Sequence, residues 1–165
     1  MFPKLARVSN DKYEAVINVE WKGYITVAIA RNFRATNLYW QLVDPVFSQL
    51  ELGFEYPSGR LVNCAVPLFN GEVEDQQAHT LPSATSGTPF FDLGPWSVNV
   101  SDPAARGNHL EQPGRIRLVK KQRGLTIICK DGHPLRSVAY GGRLVCDFGE
   151  AGELLAITLT GDFPL

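Results

Sequence analysis

The chain has 165 residues, 44% of them hydrophobic and 20% charged, and its formal net charge is −1 at pH 7. This composition is too apolar and too nearly neutral for a disordered chain, and it lacks the excess of basic residues typical of nucleic-acid-binding proteins. No uncharged apolar run of about 18 residues occurs, so the sequence predicts no transmembrane helix.

The first part of the chain is typical of β-structure. Residues 13–21 alternate apolar and polar side chains, the pattern of a strand with one buried face. Lys22-Gly23 interrupts the alternation and residues 24–29 resume it, which predicts a β-hairpin. Residues 38–43 fit either a strand or a short helix capped by the polar pair that precedes them.

Two further strands are predicted on either side of a tight turn. Residues 49–56 and 61–69 carry the strand pattern, and the Pro-Ser-Gly sequence at 57–59 supplies the turn between them. The Asn-Gly pair at 70–71 ends the second strand. Because Asn-Gly is a strong hairpin signal, it predicts a further hairpin there.

Residues 71–114 differ in composition from the rest of the chain. They are rich in proline, glycine and polar residues, and acidic residues outnumber basic ones. We interpret this stretch as an irregular acidic insertion in a single β-rich domain spanning residues 1–165, with one short strand at 96–100.

The last third predicts five short strands joined by glycine-containing turns, one of which is Asp131-Gly132. The strands are residues 115–121, 125–130, 135–140, 144–148 and 154–160. Regularly spaced short strands predict an all-β fold, either an antiparallel β-sandwich or a partly open barrel, built from hairpins and a C-terminal meander with little or no helix.

Basic residues are concentrated in residues 115–143. Alternation directs three cations of the first strand in this block to solvent, and two more flank the following turn. We therefore take these five cations as candidate binding residues: Arg115, Arg117, Lys120, Lys121 and Arg123.

Three explanations for this basic surface remain open. Either acidic segments of the same chain neutralise this surface, or it binds an acidic partner protein, or it binds nucleic acid. Residues 115–130 contain no aromatic side chain on which bases stack, which disfavours nucleic acid.

Aromatic residues in the acidic insertion are weaker binding candidates. Phe90, Phe91 and Trp96 either mark an exposed interface or cap one end of the core, and the second explanation is the simpler one.

The sequence contains no common nucleophile, phosphate-binding or metal-binding motif, so it assigns no catalytic residue, metal or cofactor. The apolar surroundings of Cys64, Cys129 and Cys146 predict buried thiols. A carboxylate pair that mutually raises its pKa is conceivable at Glu72 and Glu74, although solvated charges are the simpler expectation.

These patterns predict a non-enzymatic, cytoplasmic, bacterial-type protein-binding module, for example an immunity or adaptor protein. The expected partner is another protein, an acidic one in particular, rather than nucleic acid or a membrane, and self-association is also compatible with the sequence. The alternative is an enzyme or small-ligand barrel whose loop-lined pocket includes His79 or His109.

Overall fold

The computed structural model describes residues 1–10, 18–21, 24–28, 37–75, 83–102 and 104–161. Within these ranges the chain is nearly all β-structure, arranged as two mixed sheets that pack face to face. The predicted all-β class, a sandwich or partly open barrel, is confirmed.

The strands of the described ranges are short and follow one another closely. In chain order they are β1 (Leu5–Ser9), β2 (Asn18–Trp21), β3 (Ile25–Ala28), β4 (Asn37–Val43), β5 (Gln49–Glu55), β6 (Arg60–Leu68), β7 (Val73–Asp75), β8 (Thr85–Ser86), β9 (Thr88–Phe91), β10 (His109–Pro113), β11 (Arg117–Lys121), β12 (Gly124–Ile128), β13 (Arg136–Tyr140), β14 (Leu144–Phe148) and β15 (Leu154–Thr160). A 3₁₀ turn, Arg106–Asn108, precedes β10.

The first sheet has the order β1-β9-β6-β5-β4-β10, with β3 also pairing with β6 and β2 with β3. The hairpin predicted around residues 57–59 is the antiparallel pair β5–β6. The strands predicted around residues 22–23 also pair antiparallel, as β2 and β3, while residues 13–17 and 22–23 of that prediction lie outside the described residues. The ambiguous segment at 38–43 is a strand, because Leu38, Trp40 and Leu42 are fully buried and alternate with half-buried residues.

The second sheet has the order β7-β11-β12-β15-β14-β13-β8. It contains a Greek key rather than the simple meander predicted, because β15 lies between β12 and β14. Asp131-Gly132 is therefore a crossover between strands that are not neighbours. Nearly every residue of β15 is buried, and such a strand is stabilised best in the interior of a sheet.

Asn70-Gly71 does not form the predicted hairpin. The strand before it, β6, belongs to the first sheet, whereas β7 pairs in parallel with β11 in the second. The Asn70 backbone N–H donates to Ser48 Oγ at 2.9 Å, and its side-chain amide donates to the Val46 carbonyl at 3.2 Å. These bonds anchor the chain where it changes sheet.

The acidic insertion is largely built into the two sheets. It supplies β7 and β8 at opposite edges of the second sheet, and β9 and β10 in the first. The strand predicted at 96–100 is absent, and this part of the described chain has no regular structure. The Asn99 side chain accepts bonds from the backbone N–H groups of Ser101 and Asp102, a local turn that competes with strand pairing.

One apolar core fills the space between the two sheets. Trp40, Phe54, Tyr140 and Phe148 are its largest fully buried side chains. No helix in the described part of the chain is long and apolar enough to cross a membrane.

Candidate functional site

The five candidate cations lie on or beside the hairpin formed by β11 and β12. Leu118, Leu125 and Ile127 of this hairpin are fully buried and fix it to the core. The hairpin is therefore a rigid support, and each cation has a defined position along it.

Arg117 is neutralised within the chain. Its Nε and Nη2 atoms each donate to a carboxylate oxygen of Glu74 at 2.7 Å, and its Nη1 atom donates to Asp131 Oδ1 at 3.3 Å. The parallel pairing of β7 with β11 brings Glu74 there. For Arg117, the explanation by internal neutralisation is therefore the one observed.

Glu74 pairs with Arg117 and its pKa is lowered, contrary to the carboxylate pair considered for it. The hydrogen bonds from Arg117, followed by the nearby positive charges, lower the pKa of the Glu74 carboxyl below its ordinary value. The conceivable carboxylate pair is thus replaced by an ion pair, because the arginine fork favours the charged carboxylate.

Alternation predicted that Lys121 faces solvent freely, but its side chain is half-buried. Burial lowers the pKa of its ammonium group, and the negative charge of Asp147 opposes that shift. Asp147 is itself buried, which raises its carboxyl pKa, while Ser137 Oγ donates to its Oδ1 atom at 2.6 Å and lowers it.

Arg115 lies before the first residue of β11 and not on the strand face predicted for it. It is exposed, and its chain neighbours bond to the turn after β4: Gly114 N–H donates to the Val43 carbonyl and Ile116 N–H to Asp44 Oδ2. β11 therefore separates Arg115 from Arg123.

Arg123 lies at the opposite end of β11, and a second arginine, Arg143, lies at the same end of the sheet. The Arg123 carbonyl accepts a bond from Gly161 N–H at 3.2 Å, and the Arg143 carbonyl accepts one from Thr160 N–H at 2.8 Å. The two turns thus flank the end of β15. We call this group of residues the cationic end: Lys120, Lys121, Arg123 and Arg143.

Arg143 was not among the residues predicted from the sequence, although it belongs to the same basic block. Its position was not derivable, because the order β12-β15-β14 that brings the two turns together contradicts the predicted meander. The usable signal was the Gly141-Gly142 pair, which marks a tight turn that exposes the next residue.

The aromatic candidates of the insertion are buried. Phe91 packs against Phe54 and Phe148 at ring-centroid distances of 4.8 and 5.8 Å, and Trp96 Nε1 donates to the Tyr39 carbonyl at 3.1 Å. Phe90 is buried beneath the Arg7 guanidinium. These rings close the core, in agreement with the simpler of the two explanations, and form no exposed surface.

The three cysteines are free and buried, as predicted. Burial raises the pKa of Cys64 and Cys129 to about 12 and that of Cys146 well above its ordinary value. Thiols with such pKa values are poor nucleophiles. In the described part of the chain, no three His, Cys, Asp or Glu residues are grouped to hold a metal ion.

The alternative function predicted a loop-lined pocket that includes His79 or His109. His109 is exposed on β10 and stacks on Tyr39, and His79 lies outside the described residues. An open cleft is lined mainly by the N-terminal residues together with Pro95, Trp96 and Leu110, without a histidine.

No protein-family model matches this chain, and no curated protein sequence matches it either. Function must therefore be inferred from geometry.

Proposed function

We propose that this chain is a non-enzymatic protein-binding module that uses its cationic end to meet an acidic surface of another protein. The observation that carries this proposal is that two separate turns bring Arg123 and Arg143 to the end of β15, where their carbonyls accept bonds from Gly161 and Thr160 N–H. Cations grouped on a rigid support raise the association rate and selectivity for an acidic partner.

A protein is a better candidate than nucleic acid for this surface. Non-specific binding of single strands uses aromatic platforms among the cations, whereas Tyr140, which ends β13 just before the Arg143 turn, is fully buried. Charge without stacking supports recognition of carboxylates.

Two observations support a binding function over catalysis, and a third supports a reducing compartment. The cysteine thiols are buried with raised pKa values, and His109 is stacked at a sheet edge. Three unpaired cysteines are typical of proteins kept in a reducing environment, so we include the cytoplasm in the proposal.

The test compares three forms of the tagged protein in affinity capture from cells at low and high salt. The double variant Arg123→Glu/Arg143→Glu should lose an acidic protein that the wild type captures. Arg136→Glu is the control, since Arg136 is exposed at the far end of β13. With the purified partner, affinity should fall steeply as NaCl rises from 50 to 500 mM.

Three outcomes would contradict the proposal: the same proteins captured by all three forms, capture that nuclease treatment abolishes, or an affinity that salt leaves unchanged.

A further inference from the structure

The turn between β4 and β5 is held by an unusually complete set of hydrogen bonds. Asp44 N–H donates to the Ser48 carbonyl and Phe47 N–H to the Asp44 carbonyl, both at 2.9 Å. The Asp44 carboxylate accepts a third bond from Val46 N–H, also at 2.9 Å. The turn is therefore fixed from within.

Two other segments fix the same turn from outside. Asn70 donates to Ser48 Oγ and to the Val46 carbonyl, and Ile116 N–H donates to Asp44 Oδ2 at 3.2 Å. The last bond joins the turn to the start of β11. The conformation of the turn is thus imposed by both sheets.

Phe47 is the strained residue of this turn. Its φ is +70°, in the left-handed region that bulky L-residues rarely adopt. Its side chain is 73% exposed and that of Val46 is 54% exposed, so burial within the chain does not offset the strain. Leu68, which pairs with Gln49 just after the turn, is also exposed.

A positively charged residue lies on one side of this turn. Arg115 is exposed, and the residues on both sides of it bond to Val43 and Asp44. A partner that receives the turn therefore meets a cation at its rim.

From this geometry we infer that residues 44–48 are a preorganised docking element, which inserts Phe47 into an apolar pocket of another protein whose rim carries carboxylates that face Arg115. A rigid aromatic anchor binds with little further loss of conformational entropy, and aromatic residues flanked by arginine dominate many interfaces. The inference does not depend on the cationic end.

A different protein is a better occupant than a second copy of this chain. The cleft described above is lined by Lys4 as well as Asp92, so in a second copy it offers Arg115 no net negative charge. A rim of carboxylates complements Arg115 better.

The first test is site-specific photocrosslinking in cells. A photoreactive residue, p-benzoylphenylalanine, replaces Phe47 in one form and Leu135 in the control, because Leu135 is equally exposed in another loop. We expect a distinct protein to be crosslinked from position 47 and not from position 135.

The second test measures binding of that purified protein. Phe47→Gly should weaken it at least tenfold, while the melting temperature rises by about 2–4 °C because glycine adopts a positive φ without strain. Arg115→Glu should weaken binding three- to tenfold at low salt and much less at 500 mM NaCl. Arg136→Glu, at an exposed position outside both the turn and the cationic end, should leave the affinity unchanged.

The inference is overturned if position 47 crosslinks only to a second copy of the chain or no more than position 135 does. It is also overturned if Phe47→Gly binds like the wild type, or if that variant melts below the wild type, since the ring would then be a packing element of the fold.

Discussion

The two ends of β11 differ in how the chain treats their arginines. At the first end, Arg117 is held by Glu74 and Asp131. At the other end, Arg123 and Arg143 come together around the end of β15. The difference shows that a basic block in the sequence does not define a binding surface. Which cations are neutralised by carboxylates of the same chain depends on the acidic segments that the sheet order places beside them.

The largest loss of stability should come from a substitution on the core-facing side of β11, which supports both ends. Leu118→Ala empties a fully buried position of β11 and should lower the free energy of unfolding by about 2–5 kcal/mol. Urea denaturation measures it. Leu135→Ala, at an exposed position, is the control, and a similar small effect for both would show that β11 does not anchor the hairpin.

Asp44→Ala, near the Arg115 end of β11, should lower the free energy of unfolding by about 1–3 kcal/mol. Asp44 is buried, and its carboxylate accepts backbone bonds from Val46 and Ile116. Asp92→Ala removes one similar bond to Gly94 at an exposed site and should cost less. Equal losses of stability in thermal melts would mean that the contact of Asp44 with Ile116 contributes nothing.

Glu74→Gln releases Arg117 and should cost at most about 1 kcal/mol at pH 7, because both side chains are more than one-third exposed. The folded-state pKa of Glu74 is lowered, so its stabilisation is present above its ordinary value of about 4.3. It is lost as pH falls through the folded-state pKa. Stability curves of the two proteins should therefore converge in acid; a gap that widens there would contradict the ion pair.

Arg123→Glu should have the smallest effect on stability, within about 0.5 kcal/mol, because Arg123 is exposed in a turn and its described bond is made by the backbone. Binding, by contrast, should change. Comparing Glu74→Gln with Arg123→Glu thus separates Arg117, a cation held within the fold, from Arg123, a cation proposed to meet a partner. If Arg123→Glu unfolds the protein at moderate temperature, the cationic end is structural.

Local patterns predicted most of the strands, since the apolar runs at residues 49–56, 61–69 and 144–148 and the turn residues between them can be read without knowing which strands pair. Predictions about neighbours were less accurate. Asn70-Gly71 and Asp131-Gly132 both look like hairpin turns, yet each joins strands that are not adjacent. A turn signal fixes where the chain reverses and not which strand it meets afterwards.

The sequence by itself determined the β-class, the burial of the three cysteines and the concentration of cations in one region, because these follow from residue type and a two-residue period. The tertiary structure decided which arginine is neutralised, which two turns meet and how Phe47 is displayed. Those features depend on contacts between residues far apart in the chain, such as Glu74 with Arg117 and Asp44 with Ile116, and no local pattern encodes them.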